Sequence, residues 1–312
     1  MSENKNGIVV KVMGLYYTVN ADGESRNCTL RGRIRQSEEN KTITNPVAVG
    51  DYVNFTIQDD GSGVIENIHD RTNIFSRKEK GRNSKEDIIA ANCDLIVVMQ
   101  SFRQPRLNLR FVDRISVRGK MQGIPVLVCV NKSDLAKENE KMGVLDYYRN
   151  AGNDIVFVSA VTSHGLKDLY RYLEGNVSIL VGFSGVGKSS ILNGIFPSLD
   201  LRVKEVSSRT GKGRHTTTNV EMIKVDDNTA IIDTPGMREF GLMDMEPHIV
   251  GNYFYEFAEY ADKCSFMPCT HDHEPGCEIK RLVEQGTIST ERYVSYLNIL
   301  HSLQEYFDNM YS

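Results

Sequence analysis

At 312 residues, with 40% hydrophobic and 25% charged side chains, the chain has an ordinary globular composition and length enough for two or three domains. Its longest apolar runs, at 95–99 and 124–130, are far too short to span a bilayer, and the polar start Met1-Ser2-Glu3-Asn4-Lys5-Asn6-Gly7 holds no apolar signal region, so a cytoplasmic location with no membrane partner is expected. The net charge of −4 excludes a uniformly basic chain, yet residues 71–120 hold 12 Lys/Arg against 5 Asp/Glu while 242–312 hold 4 against 12, so a local basic surface stays open.

Residues 7–70 read as all-β. Short β-branched runs at 7–13, 15–19, 27–34, 51–57 and 64–68 are separated by turn signals such as Ala21-Asp22-Gly23 and Asp59-Asp60-Gly61. Five such strands fit a small closed barrel of the OB type, and a small SH3-like barrel has a similar count. The stretch 73–86 (NIFSRKEKGRNSKE) is basic and poor in apolar residues, and reads as a linker or mobile arm open to RNA contact.

From Ile88 strands and helices alternate. Residues 94–100 form an apolar run suited to a strand buried on both faces, and 107–121 carry Leu109, Val112 and Ile115 at helical spacing with arginines between. Strands are expected at 125–130, 155–158, 177–181, 221–225 and 229–232, with a helix at 188–195. This is the pattern of a doubly wound parallel sheet, whose ligands sit at the carboxyl ends of the strands. Beyond 241 the chain becomes helix-rich and acidic.

Three motifs fall on these strand ends. Gly182-Phe183-Ser184-Gly185-Val186-Gly187-Lys188-Ser189 matches G-x-x-x-x-G-K-[ST], a loop whose backbone N–H groups cradle phosphates ahead of a helix N-terminus. Lys188 is expected on the β- and γ-phosphates and Ser189 on Mg²⁺, with Ser190 following in the nucleotide-binding set. Asn131-Lys132-Ser133-Asp134 reads N-K-S-D: the Asp134 carboxylate accepts from the ring N–H and exocyclic amine of guanine, an arrangement adenine does not offer. Asn131 is expected on the purine edge, the Lys132 stem over the base, and Ser159-Ala160 at the guanine carbonyl. Asp233-Thr234-Pro235-Gly236 is the D-x-x-G element, with Asp233 near Mg²⁺ and the Gly236 N–H sensing the γ-phosphate. A GTPase ordinarily runs phosphate loop, D-x-x-G, N-K-x-D. Here N-K-S-D comes first, so the chain reads as a circularly permuted P-loop GTPase.

Between the phosphate loop and D-x-x-G lies His215-Thr216-Thr217-Thr218, where a first switch is expected, with Thr217 favoured as the Mg²⁺ threonine. Many GTPases follow D-x-x-G with a glutamine that orients the attacking water; here Met237 stands there and cannot. His215 is the candidate to replace it, since an imidazole orients water or takes its proton; a contact to phosphate or RNA is the competing role. Lys188, Thr217 and His215 are thus the catalytic candidates.

The six cysteines divide into two groups. Cys28, Cys93 and Cys129 are isolated in strand-like contexts and read as small buried hydrophobes. Cys264-x4-Cys269-x-His271-x5-Cys277 offers three thiolates and one imidazole, a closed tetrahedral set suited to one structural Zn²⁺, with His271 favoured over His273.

The joint order of N-K-S-D, G-F-S-G-V-G-K-S, G-R-H-T-T-T, D-T-P-G and C-x4-C-x-H-x5-C, behind a barrel-like N-terminus, resembles the small ribosomal subunit biogenesis GTPase family, RsgA, over nearly the whole chain. The resemblance implies an OB-fold RNA-binding domain (1–70), a circularly permuted GTPase domain (71–241) and a helical zinc-binding domain (242–312). It implies GTP hydrolysis stimulated by the small ribosomal subunit, contact with its rRNA, and His215 as the family's catalytic histidine. A monomer with no DNA partner is expected. Residues 1–70 count 7 Lys/Arg against 10 Asp/Glu, so rRNA contact is expected on a local face, Arg31, Arg33 and Arg35 alternating along one strand. The rivals are an RNA-binding assembly factor with a GTPase fold as scaffold, a small-molecule enzyme, and a permuted GTPase of the large subunit.

Overall fold

Alternation of apolar residues sets the first unit. Five strands, β1 (Asn4–Met13), β2 (Tyr16–Ala21), β3 (Glu24–Leu30), β4 (Tyr52–Ile57) and β5 (Gly63–Ile68), turn Val9, Tyr17, Val19, Cys28, Val53, Phe55 and Ile65 into one buried cluster. A computed structural model describes residues 4–35, 43–78, 85–199, 201, 220–234, 242 and 245–311. The strands pair in the order β1-β2-β3-β5-β4, and β4 returns to β1, which closes the barrel; β3 and β5 run parallel and the other pairs antiparallel. This connectivity is that of an OB-fold barrel.

Two expectations for this half are corrected. The strand expected at 27–34 ends at Leu30. The Arg31 N–H makes the last rung to Ile65 O, then the Ile34 N–H folds back onto Arg31 O in a helical turn, α1 (Gly32–Arg35). Arg31, Arg33 and Arg35 therefore do not alternate along a strand. Arg31 and Arg33 instead turn to Glu66 on β5, and the Arg31–Glu66 pair neutralises part of the basic face that alternation suggested.

Within the basic stretch 73–86, residues 74–78 form a strand and are not part of an unstructured arm. β6 (Ile74–Lys78) and β7 (Glu86–Ala91) form an antiparallel hairpin around residues 79–84, which lie outside the described residues. Composition hid it because its polar residues pair across the strands. Arg77 meets Asp87 at 3.1 Å and Ser76 Oγ donates to Glu86 at 2.5 Å, while Phe75 and Ala90 enter the main core.

The central sheet follows. β8 (Leu95–Ser101), β9 (Val126–Asn131), β10 (Asp154–Phe157), β11 (Val177–Gly182) and β13 (Ala230–Asp233) are parallel in the order β10-β9-β8-β11-β13. β12 (Glu221–Lys224) adds an antiparallel edge to the parallel sheet expected from sequence, and pairs in turn with β1 through Lys11 and Glu221, so barrel and central sheet are one continuous hydrogen-bonded sheet.

Side chains alternate between the two faces, as the strand period dictates. Ile96 and Val98 of β8 face α2 (Leu109–Met121) and α3 (Glu138–Asn150); Leu95, Val97 and Met99 face α4 (Leu166–Leu173) and α5 (Lys188–Ile195). The amphipathic helix expected at 107–121 begins at Leu109, where the Asn108 side chain caps it by accepting from Phe111 N.

The C-terminal part carries the short helix α6 (Tyr255–Ala258), α7 (Glu278–Glu284) and the long α8 (Thr290–Tyr311). The polar side of α2 is not solvated. Asp113 and Arg292 of α8 meet at 2.5 Å, both buried, and Arg292 also holds Glu256 while Tyr147 and Ser295 donate to Asp113. No helix among the described residues is long and apolar enough to cross a membrane.

Candidate nucleotide and zinc sites

The carboxyl ends of β9, β11 and β13 are Asn131, Gly182 and Asp233. The three motifs, scattered out of the usual order in sequence, therefore open at one edge of one sheet. Asn131 joins two of them directly: its Nδ2 donates to Val186 O at 2.7 Å, and its Oδ1 accepts from Ala160 N at 3.4 Å. Lys132, held at φ +58°, donates from Nζ to Gly185 O at 3.1 Å and to Gln104 O, so its stem lies along the edge of the phosphate loop. The N-K-S-D turn thus bonds residues 131 and 132 to residues 185 and 186, across more than fifty positions of chain.

Glycine is required at two points of the loop. A Cβ on Gly187 would stand 2.3 Å from Asn131 Nδ2, and its φ of +97° disfavours any L side chain. A Cβ on Gly182 would stand 2.4 Å from Met99 O on the neighbouring strand. Val186 is fully buried in the core between the sheet and α4 and α5, and the Phe183 ring packs on Phe111 with centroids 4.5 Å apart, so the loop is anchored from both sides.

Lys188 opens α5 and bends back to donate to Gly182 O at 2.9 Å. Burial lowers its pKa and the Asp233 carboxylate opposes that shift; burial likewise raises the Asp233 pKa, with Lys188 opposing and Glu221 adding to it. Asp233 Oδ1 is buried with no hydrogen-bond partner. A carboxylate oxygen in that state is costly unless a cation meets it, and a hard oxygen donor beside a phosphate loop suits Mg²⁺. Thr234 is fixed behind it, Oγ1 donating to Leu180 O at 2.7 Å.

Asp134 opens into a cleft of about 470 Å³ lined by Ser133, Lys141, Thr162 and His164. Ser133 is tied down by its N–H on Val158 O, and Ser159 Oγ accepts from Thr162 N at 3.2 Å, which shapes the turn expected against the guanine carbonyl. Lys141, Thr162 and His164 carry no motif; their place beside Asp134 comes from α3 and the turn before α4. Glu221 is likewise outside every motif, and only the pairing of β12 with β13 sets it opposite Asp233. His215, Thr217 and Gly236, with the rest of the expected switch segments, lie outside the described residues.

Cys264, Cys269, His271 and Cys277 are all buried, with one ligand atom of each within 4.8 Å of the others. Cys264 Sγ is 3.9 Å from Cys277 Sγ, and His271 Nδ1 is 3.6 and 3.4 Å from the Cys264 and Cys277 sulfurs. A tetrahedron with Zn–S bonds of about 2.3 Å has edges of about 3.8 Å, so the four atoms fit one structural Zn²⁺ with no open position. His273 is exposed and outside the group. The His271 backbone is held in the left-handed region at φ +55°, its carbonyl accepting from Tyr293 Oη at 2.6 Å, and its ring lies against Phe257 and Tyr296. Glu274 braces the loop. Burial alone would raise its carboxyl, but hydrogen bonds from Thr270 and Asp272 bring it down to about 2. The other cysteines behave as small hydrophobes, burial pushing Cys28 to about 11 and Cys93 to about 12.

A phosphate loop bonded to a guanine-type turn that precedes it in the chain, behind a closed five-stranded barrel, defines a circularly permuted GTPase. Two family models together match most of the chain, the RsgA N-terminal domain over residues 6–65 and the RsgA GTPase over 68–243; the chain belongs to the RsgA GTPase family. It is 38% identical to the small ribosomal subunit biogenesis GTPase RsgA of Phocaeicola vulgatus, over 96% of this chain and 97% of that one. It is 39% identical to the protein of the same name from Chlorobaculum tepidum, over 98% and 100%. Among solved structures it resembles YjeQ from Thermotoga maritima (TM-score 0.74, 32% identity, 97% of this chain and 99% of that one) and YloQ, a circularly permuted GTPase (TM-score 0.68, 27% identity, 97% and 96%). GTP or GDP and Mg²⁺ are the ligands of such a site, and one Zn²⁺ fits the C-terminal cluster.

Proposed function

We propose that this GTPase assists late maturation of the small ribosomal subunit, binding the subunit and its rRNA in the cytoplasm as a monomer and letting go when GTP is hydrolysed. The observation that supports the reading is the Asn131–Val186 bond, which joins motifs in permuted order, together with full-length likeness to relatives named for that role. In this reading the chain divides into an OB-fold RNA-binding domain (1–70), the permuted GTPase domain (71–241) and the zinc-binding domain (242–312).

Within the site, Asp134, Asn131, Lys132, Ser133, Ser159 and Ala160 hold guanine. Residues 182–190 hold the phosphates, and Ser189, Thr217 and Asp233 hold Mg²⁺. Lys188 offsets charge on the transferring phosphoryl group, Gly236 senses it, and His215 orients water in place of the glutamine that Met237 replaces. The permutation supplies a reason for coupling. The segment after D-x-x-G runs straight into the zinc-binding domain, so a γ-phosphate-dependent shift there moves the surface that docks on the subunit. This requires different affinities of the GTP and GDP forms for the subunit.

The test is phosphate release by the wild type and by His215→Ala, each with and without purified small subunits. Subunits should accelerate the wild type and leave the variant at its slow basal rate. Equal turnover of the two proteins in the presence of subunits overturns the role of His215. Absence of stimulation in the wild type overturns the subunit reading and favours the RNA-binding scaffold.

A further inference from the structure

One charged row crosses from the barrel to the magnesium carboxylate. Lys11 on β1 pairs with Glu221 on β12, and Glu221 pairs with Asp233 on β13, so the three residues form a single rung across three antiparallel strands. Directly opposed residues share a face, with Cβ atoms about 5 Å apart. The Lys11 ammonium bonds the Glu221 carboxylate at 2.9 Å, with the lysine side chain 28% and the glutamate 52% exposed. Beyond Asp233 the rung continues to Leu180 of β11, and the Lys188 ammonium acts on Asp233 from the start of α5. Along the rung the charges are positive, negative, negative. Two facing carboxylates repel unless each has a cation of its own; Lys11 serves Glu221, and Lys188 with Mg²⁺ serves Asp233.

The cation of Glu221 thus belongs to a different domain from the rest of the row. The barrel reaches β12 through a narrow junction, the rung at Lys11, and β12–β13 is the hairpin that links the two expected switch segments. A small cavity nearby is lined mostly by residues 45–49 and the β6–β7 hairpin, and reaches Val12, Val220 and Thr234. The barrel therefore meets the strand that neighbours the magnesium carboxylate at one backbone rung and one ion pair, beside the packing of Ile8, Val10 and Val12 on the main core.

We propose that Lys11 and Glu221 set the Mg²⁺ affinity of the nucleotide site according to where the barrel sits. With Lys11 in place, the Glu221 charge is neutralised locally. When a partner draws the barrel off β12, Glu221 keeps its charge, adds to the negative field at Asp233 and tightens the hold on Mg²⁺ and hence on the nucleotide. Glu221 acts through Asp233 and is a positioning residue. The inference rests on the reading of Asp233 as the Mg²⁺ carboxylate.

The test uses the full chain and reads binding, not turnover: the Mg²⁺ concentration giving half-maximal binding of a fluorescent GDP analogue, by anisotropy. Lys11→Met should lower this midpoint and Glu221→Gln should raise it, each about two- to fivefold, the range of one partly exposed charge pair. The double variant should match Glu221→Gln, because Lys11 then has nothing to neutralise, and Lys11→Arg should restore the wild-type midpoint. A purely structural seam would shift Lys11→Met and Glu221→Gln in the same direction, and that result, or no shift in either, overturns the proposal. The reading of Asp233 fails separately, by an Asp233→Asn variant that keeps the wild-type Mg²⁺ dependence, and this would overturn both.

Discussion

The Asn131 amide donates to the Val186 carbonyl over 2.7 Å, so the residue that ends β9 grips the loop that follows β11. Gly187, next in that loop, approaches the same amide so closely that a Cβ there would lie 2.3 Å from Nδ2. Asn131→Ala should weaken guanine nucleotide binding about tenfold, since it leaves a buried carbonyl unpaired and removes the proposed contact to the base. Gly187→Ala should weaken it further. The two changes should couple: Asn131→Ala removes the atom that the new methyl group strikes, leaving chiefly the cost of a positive φ, so the double variant should bind better than the two single losses added together. Equilibrium titration with a fluorescent nucleotide measures this, and strict additivity would show that the contact does not constrain the loop.

How far the site could be read from sequence depended on whether its residues share a local motif. The phosphate loop and N-K-S-D carry their chemistry in consecutive residues, so Lys188 and Asp134 are candidates before any fold is known. The strands that present them were legible too, because burial on both faces leaves long apolar runs such as that of β8. Glu221 was not legible. Its importance comes from the residue opposite it on another strand, and pairing register leaves no trace in composition. The hairpin β6–β7 was misread for a related reason: charges that pair across strands look, in one dimension, like a solvated arm. The arginines of 31–35 show the converse error, an alternation that mimics strand period in a segment that turns.

Asp233 should trade stability for binding. Its Oδ1 is buried without a partner, and burial raises its pKa, so in metal-free protein the ionised carboxylate is a liability. Asp233→Asn should therefore unfold at a higher temperature than wild type in the presence of a chelator. The wild type should gain stability on addition of Mg²⁺ and GDP, and the variant should gain much less. Thermal unfolding with and without the ligands checks both halves. A variant less stable than wild type in chelator would show that the carboxylate is already compensated within the protein.

The junction of α2 and α8 should be most sensitive at Arg292. This guanidinium, 3% exposed, serves two carboxylates, Asp113 and Glu256, and stacks over Phe254 with its carbon 4.6 Å from the ring centre. Arg292→Met would strand two negative charges in a site closed to water and should cost about 3–5 kcal/mol. Asp113→Asn leaves Arg292 paired with Glu256 and should cost distinctly less. Urea unfolding of the two variants checks the order. A reversal would mean that Asp113 is held chiefly by Tyr147 and Ser295, whose hydroxyls also donate to it.

The zinc cluster should behave as part of the core and not as a detachable knuckle. Cys264, Cys269 and Cys277 belong to the same buried cluster as Phe254, Phe257 and Tyr296, which also packs on α2 and the sheet. Four donors at tetrahedral spacing with no metal would leave thiols facing one another in a buried site, so stability is linked to the ion. A strong chelator, or Cys277→Ser, should lower the unfolding temperature of the whole chain and expose the Arg292 network to solvent, read as faster amide exchange along α8. Guanine nucleotide binding should fall less, because the hydrogen bonds of the cluster's side chains stay within the cluster among the described residues. His271→Cys should retain the ion, since four thiolates also bind zinc tetrahedrally, while His273→Ala should leave both metal content and stability unchanged because that ring is exposed outside the cluster. Metal content by atomic emission beside the unfolding curve separates these cases: loss of zinc from His273→Ala would show that His273 is a ligand.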